Sequence, residues 1–170
     1  TTRWEPLAHE VAANCAIASA ITGQAGPVPG CTVWACPDDK TAAADLIDRI
    51  AQPSRVLVGM HVGAGVSMQY KRWPLERFAE LAARLSTELP VEIVLFGGPR
   101  EQDSAARVAR ACDGHVHTMA GRLSLTAAFE LMRHCEIFIS NDSGQMHMAA
   151  AAGCRVVALF GPTSEKRSGP

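Results

Sequence analysis

Apolar and polar positions along this chain follow two alternating periods, and each change of period marks an element. Val56 to Val62 is an unbroken apolar run of strand length, and Pro74 then opens a stretch in which Phe78, Leu81, Leu85 and Leu89 recur at helical steps. The cycle repeats three more times. Val91 to Phe96 reads as a strand and Glu101 to Cys112 as a helix with Ala105, Val108 and Cys112 inward; His115 to Met119 is a shorter strand. Ser124 caps a helix carrying Leu125, Ala128, Phe129 and Met132 on one face. Glu136 to Ser140, a helix from Ser143 to Ala152, and Val156 to Phe160 complete the series.

Strands alternating with helices of ten to fifteen residues imply βαβ units, hence an α/β fold: a Rossmann-like, mostly parallel sheet with helices on both faces. Ahead of it, Trp4 to Ile21 has helical composition, with Leu7, Val11, Cys15 and Ala18 along one face, and ends at Gly23. A Gly- and Pro-rich stretch from Gln24 to Pro37 surrounds a short predicted strand, Thr32-Val33-Trp34. Asp38 or Asp39 then caps a helix through Ala42 to Ala51. Two units are expected: residues 1–53 as the end of an amino-terminal domain with its linker, and residues 54–170 as a ligand-binding domain. The chain starts without Met and stops at Ser168-Gly169-Pro170 soon after a strand, so a larger parent protein is expected.

Composition narrows the chemistry. A hydrophobic fraction of 48% suffices for a core, and a net charge of -1 gives no basic field for nucleic acid, so any anion must be caught locally. The longest apolar stretch, Met146 to Leu159, is interrupted by Arg155 and too short to span a bilayer. The six cysteines, Cys15, Cys31, Cys36, Cys112, Cys135 and Cys154, form no CxxC pair, which suits free thiols in a reducing cytosol. His115 and His117 share a strand face but have no third metal ligand nearby in sequence.

In a parallel sheet the loops after the strands gather at one edge, where ligands bind. The richest is Asn141-Asp142-Ser143-Gly144, where a strand empties into small polar residues at a helix start and His147 follows one turn in. Free N–H groups at such a terminus suit a phosphate or diphosphate. The plainer account is a helix cap. Lys71-Arg72-Trp73-Pro74, after Gly63-Ala64-Gly65, brings two cations to the same edge; by itself it is equally a solvated pair. Glu101, after Gly97-Gly98-Pro99-Arg100, either meets ribose hydroxyls or favours its own helix dipole. No Walker motif or GxGxxG is present, and the Ser–glycine elbow of a hydrolase is missing.

Together these loops resemble the ADP-heptose:lipopolysaccharide heptosyltransferases, glycosyltransferases of two Rossmann-like halves (GT-B). The resemblance rests on Lys71-Arg72-Trp73-Pro74 with Leu75 to Leu81, on Phe96-Gly97-Gly98-Pro99 with Glu101, on Ser140-Asn141-Asp142-Ser143-Gly144 with His147, and on Val157 to Thr163. It implies a carboxy-terminal half that holds a nucleotide-sugar donor, ADP-heptose or another. By the resemblance Lys71 would meet the phosphates, Glu101 the ribose, and Asp142, Ser143, Gly144 and His147 the diphosphate and sugar; Arg72, by its position beside Lys71, could meet a phosphate bidentately. It also implies an inverting transfer to lipopolysaccharide core or another glycan, with the catalytic base in an amino-terminal half absent from this chain. No catalytic residue, metal or cofactor is expected here, and the location implied is cytoplasmic, or peripheral at the inner membrane. The loop Val66-Ser67-Met68-Gln69-Tyr70 departs from the family pattern, which has Ser or Thr before the Lys. Two rivals share parts of this pattern: a UDP-sugar 2-epimerase, which would place acidic residues soon after the Asp-Ser-Gly turn, and a non-catalytic nucleotide-binding or interaction domain of flavodoxin-like topology.

Overall fold

The computed structural model describes residues 9–24, 26, 27, 30, 32–65 and 68–170. Five strands, β1 (Val56–His61), β2 (Val91–Phe96), β3 (Val116–Thr118), β4 (Ile137–Asn141) and β5 (Arg155–Leu159), form one sheet in the order β3-β2-β1-β4-β5. All neighbours are parallel, with Gly59 opposite Val94 on one side of β1 and Phe138 on the other. The order reverses direction at β1, so the crevice beyond the ends of β1 and β4 is where such a sheet binds ligands.

Helices cover both faces, which is why β1 and β2 are buried almost throughout and mostly apolar, Glu92 and His61 excepted. Side-chain alternation sends Val58, Met60, Ile93 and Leu95 to one face, against Phe78 and Ala82 of α3 (Leu75–Glu88) and Ala105 and Val108 of α4 (Gln102–Arg110). Leu57, Val94, Phe96 and Phe138 face the other way. They meet α2 (Pro37–Ile50) through Ala43 and Ile50, α5 (Leu125–Met132) through Ala128, Leu131 and Met132, and α6 (Gly144–Ala151) through Ala149. Pairing Gly59 with Phe138 is a tight fit: a Cβ on Gly59 would lie 2.3 Å from Phe138 Cδ2 and 2.8 Å from Cε2. Gly59→Ala should therefore cost about 1–3 kcal/mol through overpacking, read as a fall of roughly 3–10 °C in thermal midpoint. An unchanged midpoint would mean that the Phe138 ring has somewhere to turn.

Several expected details differ. Thr32 to Trp34 forms no strand. α1 (Glu10–Thr22) buries no residue, so the face through Val11, Cys15 and Ala18 is unpacked; Trp4 and Leu7 lie outside the described residues. What holds α1 is polar: His9 Nε2 bonds Gly169 O at 2.9 Å, and Arg167 of α7 (Glu165–Ser168) pairs with Glu10 at 2.6 Å. Neither Asp38 nor Asp39 caps α2; Cys36 takes the cap position with Pro37 after it, and Asp39 instead accepts hydroxyl bonds from Ser124 and Thr126 at the start of α5. Leu89 and Leu125 are exposed, at 49% and 66%, Leu89 following the last turn of α3 and Leu125 opening α5; Leu81 and Leu85 pack partly buried against the core, with Phe78 and Ala82 fully buried. Ser124 does cap α5, its hydroxyl accepting from Ala127 N at 3.0 Å.

Of the two histidines expected to share a strand face, His117 lies on β3 and His115 just before it, in a left-handed conformation with φ 56°, and both have a structural partner. Glu92, buried within β2, accepts from His115 Nδ1 at 2.7 Å and His117 Nε2 at 2.8 Å, and pairs with Arg55 at 3.0 Å. This knot clamps the short edge strand at the sheet edge remote from the β1–β4 crevice. Burial pushes the Glu92 carboxyl upward, but the His117 and His115 hydrogen bonds outweigh it and hold the group below its ordinary range. Among the described residues no three His, Cys, Asp or Glu side chains are placed to hold a metal ion, and no helix is long and apolar enough to cross a membrane. Cys15, Cys36, Cys112, Cys135 and Cys154 are free thiols; Cys31 lies outside the described residues.

Candidate functional site

Asn141 organises the crevice. Fully buried at the end of β4, its amide donates to Val62 O at 3.2 Å and Gly63 O at 3.0 Å, while its Oδ1 accepts the Trp73 N–H at 2.9 Å. One side chain thus ties the loop after β1, the Lys71–Pro74 segment and the start of α6 together. Trp73 is further fixed edge-on against Phe78, with ring centroids 5.1 Å apart. Held this way, Lys71 closes a 3-10 turn (Gln69–Lys71) with its Nζ 2.6 Å from Asp142 Oδ2, and Thr163 donates to the same oxygen at 2.7 Å. Burial raises the Asp142 pKa, but the Lys71 and Thr163 bonds, with the charges of Lys71 and His147, bring it below the usual carboxylate range.

Ser143 occupies the N-cap position of α6, yet its side chain makes no capping bond. The hydroxyl turns instead to His61 Nδ1 at 3.2 Å and Ser140 Oγ at 3.1 Å. The first turn of α6 therefore keeps its N–H groups uncapped by this side chain, the arrangement that suits an anion. Gly144, the first residue of α6, is exposed, and a Cβ there would meet nothing within 4 Å, so the approach is open. His147 is exposed one turn further along.

A cleft of about 520 Å³ runs from this terminus, lined by His61, Gly65, Glu101, Leu125, Ser143 and Met148 among others. Glu101 ends a 3-10 turn (Pro99–Glu101), where its Oε2 accepts the Gly98 N–H at 2.9 Å. Gly63 has to be small: a Cβ would lie 2.8 Å from both Glu101 Cγ and His61 Nε2. Glu101, Ser143 and Gly144 thus share one cleft, with the Lys71–Asp142 pair and His147 beside the same helix end. Arg72 is exposed and lies 3.5 Å from Gly65 O. A second groove of about 560 Å³, between α2 and residues 119–123, has Arg49 and Arg122 in its walls but none of the candidate residues of the loops after β1, β2 and β4. Chemistry, not size, favours the first.

Sequence reasoning gave no role to His61 or Gln145 and took Ser140 only as the residue before the Asn141 to Gly144 turn. His61 is 4% exposed, and burial, assisted by the Arg72 charge, pushes its pKa down to about 4. Its signal was a polar residue ending an apolar strand at the ligand edge. Gln145 lines the cleft with an Oε1 that is buried without a hydrogen-bond partner among the described residues.

A parallel sheet of this order, with a cleft at its reversal point, is Rossmann-like, and its fold matches that of one half of the GT-B heptosyltransferases. Known proteins carry the assignment further. The glycosyltransferase family 9 (heptosyltransferase) profile matches residues 2–170. Lipopolysaccharide heptosyltransferase 2 of Salmonella typhimurium is 36% identical over 114 residues, which take in 65% of this chain and 32% of that protein. The family 9 glycosyl transferase of Veillonella parvula superposes with a TM-score of 0.83 at 28% identity, over 99% of this chain and 48% of that one. The E. coli ADP-heptose lps heptosyltransferase II gives 0.71 at 28% identity, over 86% and 44%. The chain belongs to glycosyltransferase family 9, and spans about a third of the length of the curated relatives it matches.

Proposed function

We propose that this chain is the nucleotide-sugar-binding half of an inverting glycosyltransferase of lipopolysaccharide core assembly, with ADP-heptose as donor. The observation that carries the reading is the Ser143 hydroxyl: it stands at the N-terminus of α6, at the point of sheet reversal, and is not spent on capping its own helix. The name of the E. coli neighbour supplies ADP-heptose as the donor class. Residues 54–170 carry the binding groups, and residues 1–53 lead in from the other half, with α2 as a buttress.

In this reading the α6 terminus, Ser143 and Gly144 hold the diphosphate, Lys71 and Arg72 supply positive charge, and Glu101 takes ribose hydroxyls. Asp142 and His147 face the sugar side. Such groups gain strength as negative charge builds on the leaving diphosphate, which is how this half contributes to rate without metal. A base in the other half removes the proton of the acceptor hydroxyl; the oxygen attacks the anomeric carbon from the opposite face as ADP departs. The chain alone binds donor and transfers nothing, and works in the cytoplasm or at the inner face of the membrane.

Calorimetric titration with ADP, UDP and GDP tests this. ADP should bind in preference, and Ser143→Ala should weaken it by about 1.5–3 kcal/mol, the value of a hydrogen bond to a charged group. A folded chain that binds none of the three, or binds ADP equally well without the hydroxyl, would sink the reading.

A further inference from the structure

We propose that His61 is a positioning residue, whose Nδ1–H fixes the Ser143 oxygen so that the Ser143 proton is free to be donated to an anionic oxygen of the bound nucleotide. This inference rests on the donor-binding reading above. Its starting point is a cluster of four groups: His61 Nδ1 lies 3.2 Å from Ser143 Oγ and, more distantly, 3.5 Å from Ser140 Oγ, Ser143 Oγ 3.1 Å from Ser140 Oγ, and Ser140 Oγ 2.8 Å from Asn141 O.

The direction of these bonds follows from the last member. The Asn141 carbonyl only accepts, so the single Ser140 proton is used there. The one assignment in which all three short contacts are hydrogen bonds has Ser143 donating to Ser140 and the Ser143 oxygen accepting from His61; a ring that took the Ser143 proton would leave the Ser143–Ser140 contact without one. The imidazole therefore carries a proton on Nδ1. The low pKa of His61 leaves the ring a single proton at neutral pH, so Nε2, beside Gly63 and Glu101, is bare.

This order has a consequence at the ligand. When an anion arrives at the α6 terminus, the Ser143 proton can swing from Ser140 to the ligand while Nδ1–H keeps hold of the oxygen; only one hydroxyl rotor moves. With the opposite tautomer the ring would accept the Ser143 proton and turn a lone pair toward the phosphate. A buried ring at 4% exposure makes the orientation permanent rather than one of many.

Two measurements test it. In the ligand-free chain, long-range 15N–1H NMR correlations should report the Nδ1–H tautomer for His61. In ADP titrations, His61→Asn, whose amide nitrogen falls near the Nδ1 position, should stay within about threefold of wild type. His61→Gln, whose amide nitrogen falls near Nε2, should lose about tenfold, and adding Ser143→Ala to it should cost nothing more. An Nε2–H tautomer, equal losses in Asn and Gln, or additive losses in the double variant would overturn the proposal. Failure of the wild-type chain to bind any nucleoside diphosphate would overturn the parent reading instead; the two failures are distinguishable because the tautomer is read without ligand.

Discussion

Replacing Lys71 by Ala should lower the unfolding free energy by about 2–3 kcal/mol and weaken ADP binding as well. Asp142 is 5% exposed and Lys71 Nζ stands 2.6 Å from its Oδ2, so removing the cation leaves a carboxylate in a nearly dry site with Thr163 as its remaining hydrogen-bond donor. Breaking a buried pair from one side costs roughly 3–5 kcal/mol; Lys71 is partly solvated, which trims the figure. The pair also means that Lys71 is already neutralised before ligand arrives, so an incoming diphosphate shares this cation with Asp142. Stability and binding can be separated by Lys71→Met combined with Asp142→Leu, which removes both charges. Chemical denaturation should then recover much of the lost stability, since no unpaired charge remains, while ADP binding stays weak. If the double variant binds ADP like wild type, the pair is a structural brace and the ligand's charge is met elsewhere.

The parts of this molecule that the sequence exposes most clearly are those whose logic is local. β1, β2 and β4 are mostly apolar runs because helices cover both sheet faces, and Ser124 caps α5 three residues from the N–H that it accepts. The Asp-Ser-Gly turn and Lys71 could be found because a helix start and a cation after glycines are short-range patterns. Groups whose partners are distant in the chain were hidden. Glu92 looks like a blemish in a buried strand until Arg55, His115 and His117 arrive from both sides. His61 has its meaning only beside Ser143, and the Lys71 contact with Asp142 spans 71 positions. The Thr32–Trp34 prediction failed for the complementary reason: β-branched and aromatic composition is no strand without a neighbour to pair with.

Acid should unfold this chain in two stages. His61 has a folded pKa of about 4, below the value of about 6.5 for an unfolded histidine. Above pH 6.5 the ring is neutral in both states and contributes no pH dependence; between 6.5 and 4 the unfolded chain takes up a proton that the native state refuses. Stability therefore falls with falling pH across that window, by on the order of 3 kcal/mol in total. Asp142 and Glu92 act lower. Their folded pKa values are depressed, because the bonds from Lys71 and Thr163, and from His117 and His115, overcome the cost of burial. Their contribution is present above the unfolded carboxylate pKa, near 4, and is lost as pH drops through the folded values. Urea unfolding at half-unit steps of pH should show a decline beginning near pH 6.5 and steepening below about 4. His61→Asn, which cannot titrate, should flatten the first stage and leave the second. A wild-type profile that is level between pH 6.5 and 4.5, or a His61→Asn profile that still slopes there, would mean that the ring is reached by water and protonates freely. A directional Nδ1–H contact to Ser143 would then no longer follow from a singly protonated imidazole.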